Sequence, residues 1–138
     1  MAITSRLLQR LDQAIAGASD QIQATSWRAQ RAVLLARHGQ MAEAREALTA
    51  LHQLAVQHPH PALGAWLHFA EGLMSYFSDF GSAASDKIRR AQAMAQAVGL
   101  RELEALCSAW QAHLAYVQHD VERLVRHAQD CLRLSDAQ

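Results

Sequence analysis

Two cysteines, no excess of either charge, no long apolar run and almost no β-branched alternation define this 138-residue chain by what is missing. Cys107 and Cys131 lie far apart, each inside an apolar helical pattern, which suits small buried thiols better than a disulfide framework. Thirteen basic side chains balance thirteen acidic ones, so no net field steers the molecule onto nucleic acid or an anionic membrane. Nowhere do 18 uncharged apolar residues run together, and Arg6, Arg10 and Asp12 interrupt the leucines of the amino-terminal segment. Neither a membrane span nor the apolar core of a signal peptide is therefore expected, and a reducing cytoplasm is the expected setting.

The motifs of catalysis are missing as well. The chain has no glycine-rich phosphate loop, no His-Glu-x-x-His, no nucleophile elbow and no Cys-x-x-Cys. None of its eight histidines stands three or four residues from another, the spacing at which one helix face carries two metal ligands. His58 and His60 straddle Pro59 in a connecting segment and read as exposed loop residues. His113 and His127 read as solvated or paired with nearby acids. Asp79 and Asp86 read as helix-capping carboxylates. No enzymatic activity, no cofactor and no metal are expected.

What is present is a helical period. Apolar residues recur at spacings of three and four from end to end, and 51% of the chain is hydrophobic, enough to build a core. Glycines and prolines punctuate the pattern. A first helix carries Leu7, Leu8, Leu11 and Ile15 and ends near Gly17. Ser19 or Asp20 caps a second that stops at Gly39, and a third runs from Met41 to about Gln57. Pro61 suits the first position of a fourth helix, Gly81 the next turn, Ser82 or Ser85 the cap of a fifth, Gly99 its end. A sixth starts at Arg101 and a seventh is capped by Asp120. The expected fold class is all-α: seven helices, of which the last six form a right-handed stack of three antiparallel hairpins, about 20–57, 61–98 and 101–135, behind one amino-terminal helix in a single domain.

The turns at Gly39, Gly81 and His119-Asp120 recur roughly every forty residues, the mark of a helical-hairpin solenoid. Ala32, Leu35, Gly39, Ala44, Leu48 and Leu51 follow one another as in a tetratricopeptide-type repeat, which the stretch from Trp27 to Leu134 resembles in a longer, divergent form. "EGLMSYFSDFGSAA" and "RELEALCSAWQAHLAYV" are also similar to the amino-terminal helical repeats ahead of GGDEF diguanylate cyclase domains in some proteobacteria, although no GGDEF motif occurs here. That resemblance implies the input half of a bacterial signalling protein, with a catalytic half beyond Gln138.

The fourth helix is apolar almost all round except for a stripe at Gly64, His68, Glu71 and Ser75. The sixth repeats it with Glu104, Ser108 and Gln111, and the second offers Arg28 and Arg31. In a solenoid the first helices of successive hairpins line one concave face. The expected site is accordingly a groove for a partner helix or extended peptide, contacted by Arg28, Arg31, His68, Glu71, Ser75, Ser108 and Gln111. The expected function is a protein interaction or signal-input module, with a possible homodimer through an end helix. The alternative is a sensor that binds an apolar small molecule between the fourth and sixth helices near Trp66, Trp110, Tyr76 and His68. Phe77 and Phe80 flank the turn before the fifth helix, as a core plug or as the wall of a pocket.

Overall fold

The computed structural model describes residues 2–79, 83–117 and 121–136. The described residues form seven helices and no strand: α1 Ala2–Ala16, α2 Gln21–Arg37, α3 Met41–Gln57, α4 Pro61–Asp79, α5 Ala83–Val98, α6 Arg101–Val117 and α7 Val121–Asp136. The all-α class and the helix count are those expected from the periodicity. Phe80, Gly81, Ser82, His119 and Asp120, to which the sequence assigns turn and cap roles, lie outside the described residues.

The boundaries have local causes. Asp20 accepts a hydrogen bond from the Gln23 amide at 2.7 Å and caps α2. Gly39 and Gly99 hold φ of 82° and 76°, a region that side chains resist. Around each, the next residue's amide reaches back five positions, Gln40 to the Leu35 carbonyl and Leu100 to that of Ala95, both at 2.9 Å. These are Schellman closures, and they turn the chain sharply into α3 and α6. Pro61 opens α4 as expected, and His60 caps it: its Nδ1 accepts from the Ala62 amide at 3.0 Å. His60 is therefore a structural loop histidine with its imidazole already used.

Successive helices run antiparallel. Along α4 and α5, a Cβ on Gly64 would meet the end of Met94 and one on Gly72 would meet Ile88, so the two helices pass each other in opposite directions. The main core gathers Leu51, Trp66, Phe69, Leu73, Ile88, Leu103 and Cys107 with many alanines, while a second cluster of Leu35, Ala36, Ala44 and Met74 joins the first four helices through Leu8, Met41 and Leu48. Trp66 and Phe69 pack edge to face, centroids 5.8 Å apart, inside the core.

The repeat is visible in polar links between helices as well as in the turns. Arg31 meets Asp12 at 2.8 Å, Glu71 meets His52 at 3.5 Å, and Gln111 donates to Gln92. Each pair is 19 residues apart and each is displaced from the previous one by 40. The same displacement relates Ala44 to Ala84, Leu63 to Leu103, and the small residues Ala32, Gly72 and Ala112. The register reaches back to α1, which occupies the position of α3 and α5 and is no mere appendage.

Cys107 is fully buried, and burial, helped by the nearby Glu104 carboxylate, pushes its thiol from 9.0 up to about 12. Between those values the unfolded chain releases a proton that the folded chain keeps, so stability falls as pH rises. The expected loss is about 1.4 kcal/mol per pH unit above pH 9. Urea melts at pH 8.5, 9.5 and 10.5 measure it, and Cys107→Ala removes that part of the slope.

Candidate functional site

The seven residues expected to line a groove are mostly occupied elsewhere. Arg28, His68 and Ser108 are related by 40 residues, as are Arg31, Glu71 and Gln111, so the stripes are true repeats of one another. The second set, however, is the one that binds the preceding odd-numbered helix. Arg31 holds Asp12; Glu71 lies between His52 and, at 2.8 Å, Lys87; Gln111 is 2% exposed and bound to Gln92. Ser108 has no exposure and accepts from Gln92 Nε2 at 2.8 Å. His68 is half-buried, its Nδ1 enclosed without a hydrogen-bond partner; Ser75 and Arg28 are half-buried. The expectation of a polar groove is corrected on this point: Ser108 and Gln111 offer no surface to a partner, and the polar stripe is the seam between helices. The reason is physical. Polar groups shut between two helices lose water, and they are retained where each finds a complementary group across the seam.

The face that does open runs along α2, α4 and α6 on different residues. Two depressions lie on it. One, of about 470 Å³, is bounded by Ser26 on α2, Trp66 on α4 and Gly99 to Leu103 at the start of α6. The other, of about 340 Å³, is bounded by Arg37, Phe77, Ala109, Trp110 and His113. Ser26 and Arg37 are eleven residues apart, as are Trp66 and Phe77; eleven residues make three turns, so both depressions fall on one line of each helix, about 16 Å apart.

The second depression arises from a break in the repeat. Where α2 meets α4, positions 36 and 70 are alanines, 3% and 1% exposed, and the helices approach closely. Forty residues on, the same positions are Tyr76 and Trp110, and a wedge of rings stands between α4 and α6. Trp110 packs edge to face on Phe77 at 5.9 Å, on Tyr76 at 6.0 Å and on His113 at 5.6 Å. The Tyr76 hydroxyl and His113 Nε2 share a hydrogen bond of 3.0 Å, which pins the wedge; His113 is exposed, as one of its two expected readings had it, and its partner is a phenol and not an acid. Phe77 is thus the plug that the turn sequence suggested, though it remains only half-buried and forms a wall of the depression as well. Arg37 ends α2 at the rim, exposed and with no ion-pair partner among the described residues.

Sequence reasoning placed Tyr76 and Trp110 near a candidate cavity but missed Arg37 and the role of His113. The signal was available in the alignment of the chain with itself: Ala36 against Tyr76 and Ala70 against Trp110 mark the one seam where small residues give way to rings. Among the described residues no cluster of three or more histidine, cysteine or carboxylate side chains could hold a metal, and no helix is long and apolar enough to cross a membrane. Compared with protein-family models, curated proteins and solved structures, the chain matches none.

Proposed function

We propose that this protein is a non-catalytic interaction module that binds a protein partner along the α2–α4–α6 face. An apolar side chain of the partner seats against Phe77 and Trp110, and a neighbouring carboxylate of the partner meets Arg37. The observation that carries this reading is the aromatic wedge itself: it departs from the repeat at one seam and leaves half-buried rings beside the exposed Arg37 guanidinium. Energetics agree with an anchored mode. An exposed ion pair contributes about 0–1 kcal/mol, and micromolar affinity needs about 8, so the rings must supply most of the binding. Signal input to a regulatory protein, the role implied by the resemblance to repeats that precede GGDEF domains, is compatible with such a face.

Selection of displayed peptides on the full chain tests the proposal. Peptides with an aromatic or large aliphatic residue close to Asp or Glu are expected to be enriched. Trp110→Ala abolishes their binding, and Arg37→Glu weakens it about tenfold while discarding the acidic preference. Failure to enrich any such peptide, or binding indifferent to both substitutions, defeats it. The apolar walls of the depression between α4 and α6, Phe77, Ala109 and Trp110, favour a second reading in which a small apolar ligand occupies it. A ligand at a hundred times its dissociation constant would then raise stability by about 2.7 kcal/mol in a melting screen.

A further inference from the structure

The depression of about 470 Å³ at the start of α2 and α6 takes no part in the aromatic wedge, and its lining carries hydrogen-bond donors that the fold leaves unspent. Two are backbone amides. The Leu100 carbonyl accepts the opening bond of α6 from the Glu104 amide at 3.0 Å, which makes Leu100 the cap residue, and its aliphatic side chain can accept nothing. The amides of Glu102 and Leu103, the two that a capping side chain would satisfy, have no partner among the described residues, and both residues border the depression. At α2 and α4, by contrast, Asp20 and His60 supply the cap. The third donor is independent of the helix end. Trp66 is 4% exposed, and its indole N–H has no hydrogen-bond partner among the described residues. Thr25 Oγ1 and Nδ1 of His68 and His127 are sealed as well as unpartnered, whereas the Trp66 nitrogen keeps access to the outside, and the depression is what Trp66 borders. An indole nitrogen can only donate.

We propose that this depression binds a small monocarboxylate with an apolar body. The carboxylate accepts from the Glu102 and Leu103 amides and from the Trp66 indole, and the body lies against Ile22 and Leu100. An ionised carboxyl group only accepts, at about four lone-pair sites, so three donors and a water satisfy it. The partial positive charge of the α6 N-terminus favours the anion at the same place. Its charge is limited to one by the rim, where Asp20 and Glu102 stand against Arg101: two carboxylates and one guanidinium oppose a multiply charged ion such as phosphate. The site lies at the other end of the face from Trp110 and stands whether or not a partner binds there.

Titration of the ¹⁵N-labelled full chain with 4-methylpentanoate, followed by NMR at the amide and indole N–H signals, tests this. The three tryptophans give three indole signals, and Trp66→Phe identifies that of Trp66. Saturable binding with a dissociation constant on the order of 1 mM is expected. It shifts the Trp66 indole and the Glu102 and Leu103 amides and leaves the Trp110 indole, which reports on the wedge, in place. The uncharged 4-methylpentanamide, of the same shape, and inorganic phosphate are each expected to bind at least about tenfold more weakly. Leu100→Asp offers an internal carboxylate to the same two amides and is expected to weaken binding about tenfold or more. Leu100→Ala loses the same apolar contact but leaves the amides open, and is expected to weaken it only about threefold. Trp66→Phe keeps a ring without the donor and is expected to weaken it about fivefold; should that change disturb the core, the two Leu100 variants carry the test with the native ring in place. No saturable shift up to about 20 mM overturns the proposal. So does equal binding of the amide or of phosphate, or a Leu100→Asp chain that binds as well as Leu100→Ala.

Discussion

Gly72→Val is expected to destabilise the fold by about 3 kcal/mol or more. A Cβ at this position would lie 2.9 Å from Ile88 Cγ1 and 3.2 Å from the Ala84 carbonyl oxygen. Neither can move aside cheaply: Ile88 is fully buried, and the second atom belongs to the α5 backbone. Alanine at the same position gains about 1 kcal/mol of helix propensity and loses more to the forced separation of α4 from α5, for a net loss of about 1 kcal/mol. Gly64→Ala is the control. Its Cβ meets only the terminal methyl of Met94, a flexible side chain that can turn away, so the propensity gain survives and the variant is expected to match or exceed the native chain. Urea denaturation ranks the three variants. A Gly72→Ala chain as stable as Gly64→Ala would mean that α4 and α5 do not pass each other at the distance described.

The seven helices were legible because periodicity and punctuation act locally. Gly39 and Gly99 take the left-handed conformation that their position after an apolar stripe implies, and Pro61 stands where its missing amide does no harm. The polar stripe was legible as a line along each helix but not as a seam, because spacing tells which residues share a face and not what the face meets. In a stack a helix has neighbours on several sides, so a polar line can be as buried as an apolar one: Ser108 and Gln111 are the proof. Complementarity at constant separation would have revealed it. Asp12 with Arg31, His52 with Glu71 and Gln92 with Gln111 are each a donor and an acceptor 19 residues apart, a pattern that the turn spacing alone does not expose. Nor does spacing separate Tyr76 from Tyr116, forty residues on: the first is half-buried against Trp110 and the second 66% exposed.

Gln92→Ala should be nearly as damaging as the steric change at Gly72, for an electrostatic reason. Its amide oxygen accepts from Gln111 and its amide nitrogen donates to Ser108, both of which are sealed from water. Truncation strands the two at once, and buried polar groups left without partners cost roughly 1–3 kcal/mol each. A loss of about 2–3 kcal/mol is expected, moderated because Gln92 itself is half-buried and water can enter at its edge. Replacing Gln92 and Gln111 together by leucine removes that donor and acceptor as a pair and fills the space they held, so the double variant is expected to recover the part of the loss due to Gln111 while Ser108 remains without its Gln92 partner. The Asp12–Arg31 pair occupies the same register with Asp12 57% and Arg31 29% exposed at the side chain, and Asp12→Ala should cost less than about 1 kcal/mol. One position in the repeat is then worth several times more where the seam is dry than where it is wet. A double-mutant cycle on 92 and 111 measures the difference: coupling above about 1 kcal/mol is expected, whereas coupling near zero would show that water reaches Gln111 and that the α5–α6 seam is open.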